Sequence, residues 1–207
     1  MQICIKTRKG IKIKSMNLYD VFMSLFEKGD LGSVRRELLC RAYGRVLEIG
    51  VGTGVNLAYY KYDNIESIML TDIKESPVLK EKLSNKIEFA IGDIHSLDFM
   101  DESFDTIVIT LVFCSVEDVD KGLHELIRIL KPKGQILFIE HVRPEVKPLD
   151  LLSDRITPLW KKLASNCHLN RDFLKSLDKN DIEYELIKKF NKTAFIAGFA
   201  YKNSHRS

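Results

Sequence analysis

Nowhere in its 207 residues does this sequence hold an apolar run near the ~20 residues that cross a bilayer. Its N-terminus is basic but lacks the apolar core of a signal peptide, so a cytoplasmic protein is expected. No C-x-x-C pair exists. Cys4, Cys40, Cys114 and Cys167 are scattered, which excludes a zinc ribbon or redox dithiol and fits free thiols in a reducing compartment. Neither charge sign is in excess: 32 basic and 29 acidic residues leave a net +3. With no basic stripe or added RNA-binding domain, a nucleic-acid partner is not expected. There is no G-x-x-x-x-G-K-[ST] phosphate loop and no G-x-G-x-x-G dinucleotide turn. Repeats, low-complexity tracts and linkers are missing too, so residues 1–207 read as one domain with a sizeable core.

What is present centres on Val46-Leu47-Glu48-Ile49-Gly50-Val51-Gly52-Thr53-Gly54-Val55-Asn56. A short apolar strand runs into glycines at alternate positions and then into a helical pattern. That is the first βα turn of a nucleotide-binding sheet. Glycine suits such a turn because a Cβ would keep the backbone from a ligand. Glu48, just before the turn, would repel a pyrophosphate but suits a cationic amino group.

The chain around it can be read in order. Residues 2–14 alternate as a basic hairpin or arm carrying Lys6, Lys12 and Lys14, a solvated edge or a contact for an acidic surface. Residues 17–43 form a helical cap in two pieces, from Asn17 to about Lys28 and from about Leu31 to Tyr43. Alternation of strand and helix follows: strands at 45–49, 67–71, 87–91, 104–110 and 135–140, and helices at about 54–60, 75–83 and 119–130. Lys131-Pro132-Lys133-Gly134 reads as a stop and turn. Such alternation implies a parallel sheet with right-handed crossovers. Residues 148–165 read as a helix broken or restarted at Pro158, then a short helix at 171–177. Strands at 182–190 and 193–201 form a closing hairpin.

Two more acids end strands. Asp72 lies about 20 residues past the glycine turn, where such sheets hold a ribose diol. Asp93, in Gly92-Asp93-Ile94, can accept from an adenine amino group, with Ile73 and Ile94 as apolar faces for the ring. Glu48, Asp72 and Asp93 on successive strand ends suit an amino acid, a ribose and an adenine. Those are the parts of S-adenosylmethionine.

The E-x-G-x-G-x-G pattern resembles motif I of the class I S-adenosylmethionine-dependent methyltransferases. Phe113-Cys114-Ser115-Val116, Ile129-Leu130-Lys131-Pro132-Lys133-Gly134 and Phe138-Ile139-Glu140-His141-Val142 resemble the type 11 and ubiquinone/menaquinone methyltransferase group. Cys167-His168-Leu169-Asn170-Arg171-Asp172 and Ala197-Gly198-Phe199-Ala200-Tyr201 look closest to the methyltransferase-like small-thiol methyltransferases. Those thiol enzymes carry an N-terminal membrane anchor that this sequence does not show. The resemblance implies an α/β, Rossmann-like, seven-stranded, mostly parallel sheet with an antiparallel C-terminal hairpin over residues 44–202, helices on both faces and an N-terminal helical cap. It also implies a cofactor site made of Glu48, Gly50, Gly52, Thr53, Gly54, Asn56, Asp72, Ile73, Asp93, Ile94 and Leu111.

The expected activity is methyl transfer to a small hydrophobic thiol, amine or phenol. The alternatives are a lipid or quinone methyltransferase that meets a membrane surface through the basic N-terminus, and a non-catalytic cofactor-binding regulator. Residues 111–116 lack the [DNS]-P-P-[YFW] signature of amino-methylating enzymes. Thr110 stands where metal-dependent catechol enzymes place an aspartate, so no metal is expected. Cys114 reads as a small buried hydrophobe or as a methyl acceptor. Candidate catalytic groups are Tyr19, in a Tyr-Asp pair like that of the quinone and lipid enzymes, His141 on the rim past strand 5, and His168. For each histidine a structural role is the alternative. The stretch 148–171, rich in Leu149, Leu151, Leu152, Ile156, Leu159 and Trp160, is expected to roof the acceptor or to be core.

Overall fold

The computed structural model describes residues 29–164 and 166–203. The expected hairpin at 2–14, the first cap helix and Tyr19 lie outside the described residues. Seven strands form one sheet: β1 (Gly44–Ile49), β2 (Ile65–Asp72), β3 (Ile87–Ile91), β4 (Phe104–Thr110), β5 (Leu130–His141), β6 (Glu183–Phe190) and β7 (Phe195–Tyr201). Their order is β3-β2-β1-β4-β5-β7-β6. The first five run parallel, and β7 pairs antiparallel with both β5 and β6. The described helices are α1 (Asp30–Leu39), α2 (Val119–Ile129), α3 (Leu149–Leu163) and α4 (Phe173–Lys179).

The central strands read as near-continuous apolar runs because both of their faces are covered. Period-two alternation divides them between two cores. Leu47, Ile49, Ile107, Ile109, Ile136 and Phe138 face one core, with Leu123 and Leu126 of α2 and Phe173 of α4. Val46, Val108, Leu137 and Ile139 face the other, with Leu31, Val34 and Leu38 of α1. The two longest described helices differ in how they start: α2 opens on Asp118, whose side chain accepts from the Lys121 amide at 3.0 Å, a normal N-cap, whereas α3 follows Pro148 with no side-chain cap among the described residues.

Several elements depart from expectation. The helix expected at 54–60 is only a 3-10 turn at Asn56–Ala58. Its Asn56 side chain is committed to buried partners rather than to a helix surface. The helix expected at 75–83 shrinks to a 3-10 turn at Lys80–Lys82; within 75–83 only Leu79 is buried, and one anchor makes no apolar stripe. The cap helix ends at Leu39, before Gly44. Strand β5 begins at Leu130, ahead of the expected turn, because Leu130 pairs with Phe104 across a register shift. Helix α3 runs through Pro158 rather than breaking there.

Order of the strands fixes the site. From β1 the chain steps outward to β2 and β3, then returns to the other side of β1 for β4 and β5. The crevice at that reversal, between the carboxyl ends of β1 and β4, is where open α/β sheets bind ligands.

Candidate active site

Gly50, Gly52 and Gly54 all take positive φ, +64°, +53° and +70°. Only glycine does so without strain. A Cβ on Gly50 would lie 2.7 Å from Val112, so this glycine lets the turn close against the segment after β4. A Cβ on Gly52 would meet nothing within 4 Å. Gly52 thus borders open space in the crevice. Its amide donates to Asp72 Oδ2 at 2.9 Å. Asp72 Oδ1 takes no bond among the described residues and stays available for a ligand hydroxyl. The turn is gripped from outside by Lys82, whose ammonium donates to the carbonyls of Thr53 at 2.7 Å and Gly54 at 3.0 Å. Burial lowers the Lys82 pKa, and Glu48 opposes that shift.

Beneath the turn lies Glu48, 2% exposed. It accepts from Tyr60 Oη at 2.7 Å and Asn56 Nδ2 at 3.0 Å. The same Asn56 nitrogen donates to Thr110 Oγ1 at 2.9 Å, and its oxygen accepts from Arg35 of α1. Burial pushes the Glu48 carboxyl up to about 7 against these hydrogen bonds and the Arg35 charge. Glu48 and Asn56 therefore brace the turn from below, through buried partners on β4 and α1. Sequence reasoning put both at the cofactor and missed Arg35, Tyr60 and Lys82. The signal for Arg35 was a charge on the apolar face of α1, between Val34 and Leu38.

At the end of β3, Asp93 Oδ1 accepts from the His95 amide at 2.9 Å and His95 Nδ1 at 2.6 Å. His95 Nε2 accepts from the Asp118 amide at 3.2 Å, which leaves the ring proton on Nδ1. These bonds, the amide foremost, hold the Asp93 carboxyl below its usual range. The side chain is 62% exposed, so its second oxygen faces out. The two isoleucines part company. Ile73 is 73% exposed, free to cover a ring, whereas Ile94 is 7% exposed and packs in the core.

Across the crevice, Leu111 takes φ +60°, a conformation that costs a non-glycine residue about 1–2 kcal/mol. Three hydrogen bonds hold the chain there: the Leu111 amide donates to the Ile139 carbonyl at 2.8 Å, and Glu140 Oε1 accepts from the amides of Val112 at 3.0 Å and Phe113 at 3.1 Å. Glu140 is fully buried, and burial pushes it up to about 7. Cys114, 2% exposed, packs with Cys167 and Ala164, with Trp160 against them. Its thiol is held protonated, first by the Cys167 thiol and then by burial. A buried, protonated thiol is a core group, which is the bland alternative the sequence offered.

The two histidines flank this segment. His168 donates its amide to the Cys114 carbonyl at 2.7 Å, and its Nδ1 lies 3.1 Å from the same oxygen. A carbonyl only accepts, so the proton is on Nδ1 and Nε2 is the basic nitrogen. His141, the last residue of β5, stacks edge-on to Phe195 at 5.1 Å. Its Nδ1 is buried without a partner among the described residues, and burial lowers its pKa to about 4. Arg171 donates to the carbonyls of Phe113 and Val116. Asn170 donates to Asp154, which also pairs with Arg143. The loop that carries His168 is thereby stitched to residues 113–116. The expected leucine roof is absent: Leu151, Leu152, Ile156 and Leu159 point to solvent, and α3 packs on Ser153, Thr157 and Trp160.

A family model described as a methyltransferase domain matches residues 47–138. The chain is 31% identical over 188 residues to the uncharacterized methyltransferase YcgJ of Bacillus subtilis, covering 86% of this chain and 72% of that protein. This chain belongs to the class I S-adenosylmethionine-dependent methyltransferases. The crystal structure of YcgJ shares the fold at a TM-score of 0.65 and 21% identity, over 84% of this chain and 98% of that one. Thiol S-methyltransferase TMT1B of Rattus norvegicus is 33% identical over 65% of this chain, which spans 58% of that relative's length. The ubiquinone/menaquinone biosynthesis C-methyltransferase UbiE of Escherichia coli is 30% identical over 72% of this chain and 69% of its own. The family's cofactor is S-adenosylmethionine, and the crevice fits it. Open space at Gly52, a half-used Asp72 carboxylate and an exposed Ile73 are what an adenosyl group requires. Among the described residues no helix is long and apolar enough to cross a membrane.

Proposed function

We propose that the chain methylates a small hydrophobic acceptor, a thiol, amine or phenol, presented between the carboxyl ends of β4 and β5. The observation that carries this reading is the open space over Gly52, whose amide is bonded to Asp72 at the carboxyl ends of β1 and β2. When bound, S-adenosylmethionine supplies a methyl group activated by its sulfonium. Asp72 and Asp93 hold the ribose and the adenine, and Ile73 covers the ring. Gly50, Gly52 and Thr53 shape the turn around the cofactor, and Leu111 lines the side toward the acceptor. The Glu48–Asn56–Tyr60 network keeps that turn rigid. What remains for the protein is alignment and exclusion of water.

His168 is the better-placed base. Its Nε2 is basic and it is only partly buried, and burial, then Arg171, lowers its pKa. His141, at about 4, is too weak a base to draw a proton from a thiol or phenol near pH 7. The names of the thiol and quinone relatives support an apolar acceptor. The test is turnover of labelled S-adenosylmethionine against a panel of alkyl and aryl thiols, amines, phenols and quinols. Transfer to thiols, amines or phenols is expected. Transfer to quinols alone would move the acceptor to the quinone class. Cofactor binding with no transfer to any of them would mark a regulator.

A further inference from the structure

Helix α3 is built inside out. Its buried residues include Ser153 and Thr157, at 6% and 5% exposure, while Leu151, Leu152, Ile156 and Leu159 are 58%, 49%, 38% and 64% exposed. Burying the hydroxyls costs little, because both bond within the helix. Ser153 Oγ donates to the Asp150 carbonyl at 2.7 Å, and Thr157 Oγ1 donates to the Ser153 carbonyl at 2.7 Å. Among the described residues nothing covers these four large aliphatic side chains, and a contiguous apolar face of this kind marks a contact surface.

The charges on that face identify what it meets. At about 100° per residue, Leu151, Leu152, Arg155, Ile156, Leu159 and Lys162 share one arc of about 140°. Arg155 and Lys162 are exposed and carry no ion pair among the described residues. The helix's acids lie on the other side, where Asp154 is tied to Arg143 and Asn170. Exposed Lys147 and Val146, just before the helix, extend the same character. A twofold pairing of two such faces would bury four cations with no acid between them, so a second copy is a poor occupant. Aliphatic side chains flanked only by cations suit the boundary between headgroups and acyl chains of an anionic bilayer.

We propose that α3 is an interfacial anchor that docks this face on an anionic phospholipid surface. The anchor is a property of α3 and does not depend on which acceptor is methylated. The experiment is co-sedimentation of the full chain with vesicles of equal parts phosphatidylcholine and phosphatidylglycerol, and with phosphatidylcholine alone. The wild type should pellet with the anionic vesicles, less with the neutral ones, and less at high salt. Leu151→Ser with Leu159→Ser should lower partitioning by about tenfold or more, since each leucine's burial is worth roughly that factor. Arg155→Glu with Lys162→Glu should lower it on anionic vesicles and leave the neutral ones unchanged. All these side chains are exposed, so circular dichroism and melting temperature should match the wild type. Wild-type protein that stays in the supernatant with both vesicles would overturn the proposal. So would a leucine variant that pellets like the wild type, which would assign binding to the basic N-terminus. A wild-type dimer that the leucine variant turns into a monomer, with no vesicle binding, would give the face to a second copy.

Discussion

At the end of β1, Glu48 lies buried beneath the glycine turn; at the end of β5, Glu140 lies buried beneath the segment that follows β4. Burial pushes both carboxyls up to about 7. Their partners differ. Glu48 is held by side chains, Tyr60 and Asn56, themselves linked to Thr110 and Arg35. Glu140 is held by main-chain amides, those of Val112 and Phe113. The cofactor half of the crevice is thus framed by named residue types, each with a chemical reason to be there. The acceptor half is framed by the path of the backbone at 111–116, onto which His168 and Arg171 are hung by carbonyl contacts. The two halves should therefore fail differently. Substitutions in the first should alter cofactor affinity, and those in the second should alter turnover.

The largest expected separation comes from His168→Asn. Asparagine keeps a donor for the Cys114 carbonyl but has no counterpart of Nε2. Turnover should fall by roughly 10²–10⁴, the usual worth of a general base, with calorimetric affinity for S-adenosylhomocysteine unchanged. Equal turnover would leave His168 a structural residue. Gly50→Ala should come next. Its Cβ would lie 2.7 Å from Val112 at a φ of +64°, and overpacking plus left-handed strain sum to about 2–5 kcal/mol of stability. Gly52→Ala meets open space and should cost only the strain, about 1–2 kcal/mol, while it weakens cofactor binding. Melting curves of the two variants, with and without S-adenosylhomocysteine, measure both effects; equal losses of stability would break the distinction between closing and lining glycines. Asp72→Ala should weaken cofactor binding by about 1.5–3 kcal/mol, the worth of hydrogen bonds to a charged group. Turnover at saturating cofactor should be nearly normal, and steady-state kinetics separates the two.

How far this was legible in the sequence follows the same division. The strands announced themselves as apolar runs, and the glycine turn and Asp72 by residue type and spacing. Seven strands with an antiparallel ending are what the structure shows. The acceptor half was hard to read because backbone amides and carbonyls leave no mark in a sequence. Nothing in Glu140 alone says that it will cap the amides of 112 and 113. Leucines in α3 suggested a roof, because sequence shows how apolar a helix is before it shows which way it turns. Asn56 looked like a ligand contact from its place after the glycines, yet its amide bridges Glu48, Thr110 and Arg35.

A pH slope tests the buried carboxyl under the glycine turn. Glu48 at about 7 binds its proton more tightly folded than unfolded, where it titrates near its ordinary value of 4.5. Between those values the folded state holds the extra proton, so stability falls as pH rises, by up to about 1.4 kcal/mol per pH unit. His141, at about 4 against 6.5, acts in the opposite sense, and its contribution rises with pH over that window. Subtracting Glu48→Gln from the wild type removes the His141 and Glu140 contributions. The difference in unfolding free energy should decline from pH 4.5 to pH 7 and level off above. A flat difference would mean that Tyr60 and Asn56 hold Glu48 ionised at neutral pH.

The central claim is that the β1/β4 crevice holds S-adenosylmethionine on Gly52 and Asp72. Calorimetric titration of the wild type with S-adenosylhomocysteine, and separately with NAD, tests it directly. A single saturable site for S-adenosylhomocysteine, with no heat from NAD, is the predicted result. Saturable binding of NAD with none of S-adenosylhomocysteine would contradict it.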